Sequence, residues 1–142
     1  MTAQEDPHEP DAAYREGMRV RREVLGDAHV DRSIARTTEF TAPFQEHITR
    51  AVWGSVWTRP ELDRRTRSLI TLAALTSLQC HDELALHVRA AVHNGLTARE
   101  IGEVLLHTGV YAGVPAANSA FAVAQRVLAE MGEPAARPPA DG

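Results

Sequence analysis

Leu69-Ile70-Thr71-Leu72-Ala73-Ala74-Leu75 is followed after three residues by Gln79-Cys80-His81-Asp82-Glu83-Leu84-Ala85-Leu86-His87. The first segment is apolar all round, the mark of a helix buried on every side. The second gathers the single cysteine, two of the seven histidines and two carboxylates of the chain. On a helix turning about 100° per residue, Cys80, Glu83 and His87 fall within roughly 60° of one another, with Thr76 on the same stripe. His81 points about 120° away and joins them only through a helix break, a neighbouring element or another subunit. Buried carboxylates and imidazoles are rarely retained without partners, so this polar stripe marks the candidate site.

Outward from it, helical spacing recurs and period-2 alternation does not, which predicts an all-α bundle of about six helices. The segment runs on to Asn94-Gly95, a helix stop. Thr97-Ala98-Arg99-Glu100 is a capping box that starts a helix at Ala98 and carries it to Tyr111. Gly113-Val114-Pro115 breaks the chain, and the last helix spans Ala116 to about Met131. Toward the N-terminus, Tyr14, Met18, Val20, Val24 and Leu25 form a helical face with arginines opposite, ended by Gly26. Asp27 then caps a short helix to about Arg36. Thr41 and Pro43 open another, with Phe44, Ile48, Ala51, Val52 and Val56 as its apolar face, Trp53 and Trp57 as core or interface anchors, and Pro60 as its end. Met1 to Asp11 reads as a disordered acidic arm, residues 12–132 as one domain, and residues 133–142 as a Pro/Ala tail without structure.

Fifteen basic against nineteen acidic residues, a net charge of −4, disfavour a nucleic-acid surface. One cysteine excludes an internal disulfide, and no stretch has the composition of a signal peptide or membrane span, so a cytoplasmic protein is expected. A metal site is not expected: His81, His87 and His93 scatter around a helix, and Glu83 with His87 gives only two ligands. A thiol nucleophile at Cys80 lacks a resolving cysteine, and no serine elbow is present. What remains is acid–base chemistry by a carboxylate and an imidazole whose proton affinities burial would bring toward neutrality, without a cofactor. Arg67, beside the apolar run, is the first carboxylate clamp, with Arg50 and Arg59 behind it; Tyr111 and Asn118 are further polar contacts.

Three long stretches, Tyr14-Arg15-Glu16-Gly17-Met18-Arg19-Val20-Arg21-Arg22-Glu23-Val24-Leu25-Gly26-Asp27-Ala28-His29-Val30, Trp57 to Leu69 and Tyr111 to Phe121, resemble the carboxymuconolactone decarboxylase family, part of an alkylhydroperoxidase D-like superfamily. The resemblance implies a homo-oligomer, trimer or hexamer, with active sites near subunit contacts. It also implies cofactor-independent decarboxylation of 4-carboxymuconolactone, a dicarboxylate lactone, to 3-oxoadipate enol-lactone in protocatechuate breakdown, with His81, Glu83 and His87 catalytic. The superfamily's peroxidase pattern places its two cysteines at Cys80 and Glu83, its histidine at His87 and its upstream Glu at Ser68, so two of four peroxidase groups are missing. A thiol peroxidase and a non-catalytic oligomeric binding protein are the alternatives.

Overall fold

The computed structural model describes residues 10–140, so the expected N-terminal arm lies almost wholly outside the described residues, as do Asp141 and Gly142. Among the described residues there are seven α-helices and no strand, the all-α class. The described residues divide into two compact units, the first ending at Glu61 and the second beginning at Leu62.

In the first unit, α1 (Ala12–Leu25), α2 (Asp27–Ala35) and α3 (Ala42–Ile48) are followed by a π-helical turn, Thr49–Trp53. Asp11 starts α1 by accepting from the Tyr14 amide at 2.9 Å, and Gly26, at φ +88°, turns the chain into α2. The turn and α1 meet backbone to backbone. A Cβ on Gly17 would lie 2.1 Å from the Thr49 carbonyl oxygen, and one on Gly54 2.6 Å from that of Ala13. Only residues without side chains allow that approach.

The helix expected to run from Thr41 to Pro60 therefore stops early. The π turn takes more residues per turn than an α-helix and shifts which side faces α1. Thr49, Trp53 and Trp57 are buried, whereas of the expected apolar face Phe44, Val52 and Val56 are exposed and Ile48 and Ala51 only half-buried. The two indoles pack at 5.0 Å between centroids, as core rather than surface. The arginines of α1 are not all opposite the core either: Arg21 is only 5% exposed.

The second unit comprises α4 (Arg64–Ser77), α5 (His81–His93), α6 (Ala98–Ala112), α7 (Val114–Glu130) and a 3-10 turn, Pro134–Ala136. Leu72, Leu84, Val88, Ile101, Leu105, Ala120, Ala124 and Val127 make one apolar core. Helix α4 buries one stripe, Ser68, Leu72 and Thr76, and leaves Ile70 about half exposed, so it is not covered on every side. The chain also breaks between α4 and α5, where continuity is expected. Gln79 adopts a left-handed φ of +56°, and the Cys80 amide closes the helix end by donating to the Leu75 carbonyl at 3.0 Å. That break turns about six helices into seven.

The capping box forms as read: the Glu100 amide donates to the Thr97 hydroxyl, and the Thr97 amide donates to the Glu100 carboxylate, both at 3.1 Å. Gly113 alone, at φ +101°, separates α6 from α7, because Pro115 fits the first turn of a helix. After Gly132 the chain is not structureless as far as it is described, since Ala136 packs into the core. No helix of the described residues is long and apolar enough to cross a membrane.

Candidate active site

The break at Gln79 makes Cys80 the residue before α5 and puts His81, Asp82 and Glu83 in its first turn. Acidic side chains there complement the positive end of the helix. Thr76 is on α4, so the continuous stripe Thr76–Cys80–Glu83–His87 does not exist. What survives is the pair Glu83 and His87, one turn apart and within about 40° of each other on α5. Leu84, Val88 and Ala91, on the neighbouring side of the helix, enter the core. His87 and Cys80 are half-buried, while His81 and Glu83 are exposed in the single chain. The burial anticipated around the carboxylate is therefore not supplied by the chain itself. The Cys80 thiol lies 3.8 Å from the Leu78 carbonyl oxygen.

Three contacts fix which candidates share a level of the bundle. The Asn94 side-chain amide donates to the Ser68 hydroxyl at 3.3 Å, so α5 returns antiparallel to α4. An ion pair between Arg65 and Glu100 sets the starts of α4 and α6 at one end, and one between Arg89 and Glu130 brings the end of α7 alongside the later part of α5. At about 1.5 Å rise per residue, His81 is about 20 Å along α5 from Asn94, and His87 about 10 Å. Arg67, beside Ser68 and half-buried, thus sits nearer to His87 than to His81. His81, Tyr111 and Asn118 gather at the opposite end, the end of the Gly113 turn.

Tyr111 is exposed and packs on His107, their rings 5.3 Å apart. Histidine 107 is absent from the sequence candidates. With Glu103 it lines a cavity of about 470 Å³ against Leu69 and Ala73 of α4. The spacing of Glu103, His107 and Tyr111 by four residues was the one signal for it. Arg50 and Arg59 belong to the first unit. Arg50 is already held by Asp11 at 3.0 Å and Glu46 at 2.7 Å, and Arg59 pairs with Glu61 at 3.5 Å. The Tyr14 amide, and then Arg50, hold the Asp11 carboxyl below the usual carboxylate range. Among the described residues, no three His, Cys, Asp or Glu side chains converge as a metal site would require.

Arg21 is the charged residue that sequence patterning missed. It donates to the Ser33 hydroxyl at 3.0 Å, the Gln45 side-chain oxygen at 3.1 Å and the Thr49 hydroxyl at 3.4 Å.

Residues 42–126 match the model of the carboxymuconolactone decarboxylase family. The chain is 47% identical over 119 residues to a 4-carboxymuconolactone decarboxylase of Acinetobacter baylyi, covering 84% of this chain and 89% of that protein. It is 44% identical over 118 residues to a nitrosuccinic acid decarboxylase of Metarhizium robertsii, covering 83% and 82%. A 4-carboxymuconolactone decarboxylase sequence of Pseudomonas putida matches at 56% identity over 41 residues, 29% of this chain and 85% of that sequence.

Proposed function

This chain belongs to the carboxymuconolactone decarboxylase family, and from that premise we propose that it decarboxylates 4-carboxymuconolactone to 3-oxoadipate enol-lactone without a cofactor. The observation that carries the reading is the Glu83–His87 pair, one turn apart on α5, in a chain 47% identical to a decarboxylase of that name over most of both lengths.

The substrate supplies its own electron sink. The bond from the γ-carbon to the carboxylate breaks, CO₂ leaves, and the electron pair moves through the ring double bond onto the lactone carbonyl oxygen. A proton then adds to the α-carbon of the dienolate. The protein has three tasks: to hold a dicarboxylate, to stabilise the oxyanion and to deliver the proton. His87 is the proton donor, with Glu83 orienting its imidazole. Arg67 receives a carboxylate through its planar fork. His81, Tyr111 and Asn118, at the Gly113 end, serve the far end of a substrate or the contact with another copy. Arg50 and Arg59, in the first unit, each face a carboxylate of their own chain.

The exposed position of Glu83 supports an assembly in which a second copy covers α5, and the exposed Leu78, Val110 and Val114 are apolar enough to be covered with it. A cytoplasmic homo-oligomer, with residues 12–132 as its working domain, is part of the proposal.

The second relative favours one further substrate class. A nitro group beside a carboxylate, as the name nitrosuccinic acid implies, is also an internal electron sink, so the same three tasks serve it. The test follows loss of 4-carboxymuconolactone by ultraviolet absorbance, and CO₂ release from nitrosuccinate in parallel. His87→Ala and Glu83→Gln are expected to lose about 10²–10⁴ in kcat, the usual share of a positioned acid or base. Near-normal kcat in both, with the fold intact by circular dichroism, would sink the assignment. Arg67→Gln should raise KM about 10- to 100-fold, the value of a charge-assisted contact, and an unchanged KM removes the clamp.

A further inference from the structure

We propose that the first unit carries a second ligand site, for a small aliphatic monocarboxylate, with the buried Arg21 guanidinium as its receptor. The proposal goes beyond the decarboxylation and stands on the first unit alone.

Arg21 lines a cavity of about 520 Å³ together with Tyr14, Met18, Ile34, Ala42 and Arg50 among others. That volume falls within the range of small-molecule sites. A guanidinium stays charged in a protein, and a buried charge is strongly disfavoured unless an opposite charge offsets it. Every acceptor on Arg21 is neutral: two hydroxyls and a side-chain amide oxygen. Its Nε is buried and has no hydrogen-bond partner among the described residues. Among those residues no carboxylate pairs with it, whereas Arg50 at the same cavity takes both Asp11 and Glu46. Burial accordingly pushes the proton affinity of Arg21 down, and no carboxylate offsets it.

The three acceptors orient the guanidinium without neutralising it, and the Thr49 hydroxyl is itself fixed by donating to the Gln45 carbonyl at 2.8 Å. What would complete the site is an anion. One carboxylate suits Arg21, and the Met18, Ile34 and Ala42 walls suit a short alkyl chain. Asp11 and Glu46, gathered on Arg50, repel a second negative charge, so a monoanion is preferred over a dianion.

Butyrate is the probe, against succinate as dianion, butyramide as neutral isostere and sodium chloride at matched ionic strength. Binding is read by calorimetric titration and by the melting temperature of the full chain. Saturable binding of butyrate, weaker for succinate and absent for butyramide, is expected. Arg21→Met should fold, melt no lower than the parent without ligand, and bind butyrate at least about tenfold more weakly. Met18→Trp fills the cavity and leaves Arg21 in place, so it tests the site even if Arg21→Met does not fold; it too should lose the response. No response of the parent protein beyond chloride overturns the site, and so does a response that survives in either folded variant.

Discussion

The first unit holds Arg21 as its buried landmark, among neutral oxygens and beside two glycines at backbone contact, whereas the second holds Leu72, Leu84, Ile101 and Leu105 in one apolar cluster. Both are helical, yet different terms hold them. The second is stabilised by apolar area removed from water, which is non-directional and tolerant of exchange. The first depends on close approach of backbones, which is intolerant of added atoms, while directional hydrogen bonds orient its buried charge without offsetting it. Stability and ligand response should therefore divide between the units by kind of substitution.

The largest effect is expected in the second unit. Leu72→Ala removes a fully buried side chain at the centre of the cluster and should cost about 2–5 kcal/mol, read by denaturant unfolding. A cost below about 1 kcal/mol would mean that the cluster collapses around the gap, and the contrast of an apolar with a polar core would lose one side. Next in size is Gly17→Ala. Its Cβ meets the Thr49 carbonyl, which belongs to the backbone and cannot swing aside, so a cost of about 1–3 kcal/mol is expected from overpacking. In a helix interior this exchange ordinarily stabilises by up to about 1 kcal/mol, so the sign alone decides. A stabilised Gly17→Ala protein would show that close approach does not hold the first unit together.

The same contrast explains what could be read from the residues alone. Helical periodicity and end signals located Ala12 to Gly26, the Thr97–Glu100 box and the all-α class, because each is a local pattern of side chains. The break at Gln79 was hidden: a glutamine took the left-handed position usually marked by glycine, and no proline stands nearby. Reading α4 and α5 as one helix then put Thr76 on a stripe it does not share. In the first unit, Phe44, Val52 and Val56 have the right spacing for a core face, but the approach of Gly17 and Gly54 selects Thr49 and Trp53 instead. A contact between two backbones leaves no periodic mark in a sequence. Arg21 was lost for a related reason, since its acceptors Ser33, Gln45 and Thr49 come from distant positions. That Glu83 and His87 fall one turn apart on one helix was legible because four-residue spacing is a local pattern.

The smallest effect tests whether the unpaired charge of the first unit is felt by a neighbour. His29 on α2 is half-buried, and that burial first, then Arg32, Arg21 and Arg36, lowers its proton affinity below the ordinary histidine value of 6.5. A histidine whose pKa is lower folded than unfolded binds more protons in the unfolded chain, so stability rises with pH across the interval between the two values. The contribution is whole above about pH 6.5 and is lost as pH falls toward the folded value. His29→Gln should flatten the dependence of melting temperature on pH between about 5 and 7, leaving the protein unchanged near pH 8. Saturating butyrate should flatten it as well in the parent, because an anion on Arg21 offsets one of the three cations that oppose protonation. If His29→Gln leaves the slope as it was, the cationic excess around Arg21 does not reach α2. If it flattens the slope while butyrate does not, burial with Arg32 and Arg36 lowers the His29 affinity and Arg21 takes no part in it.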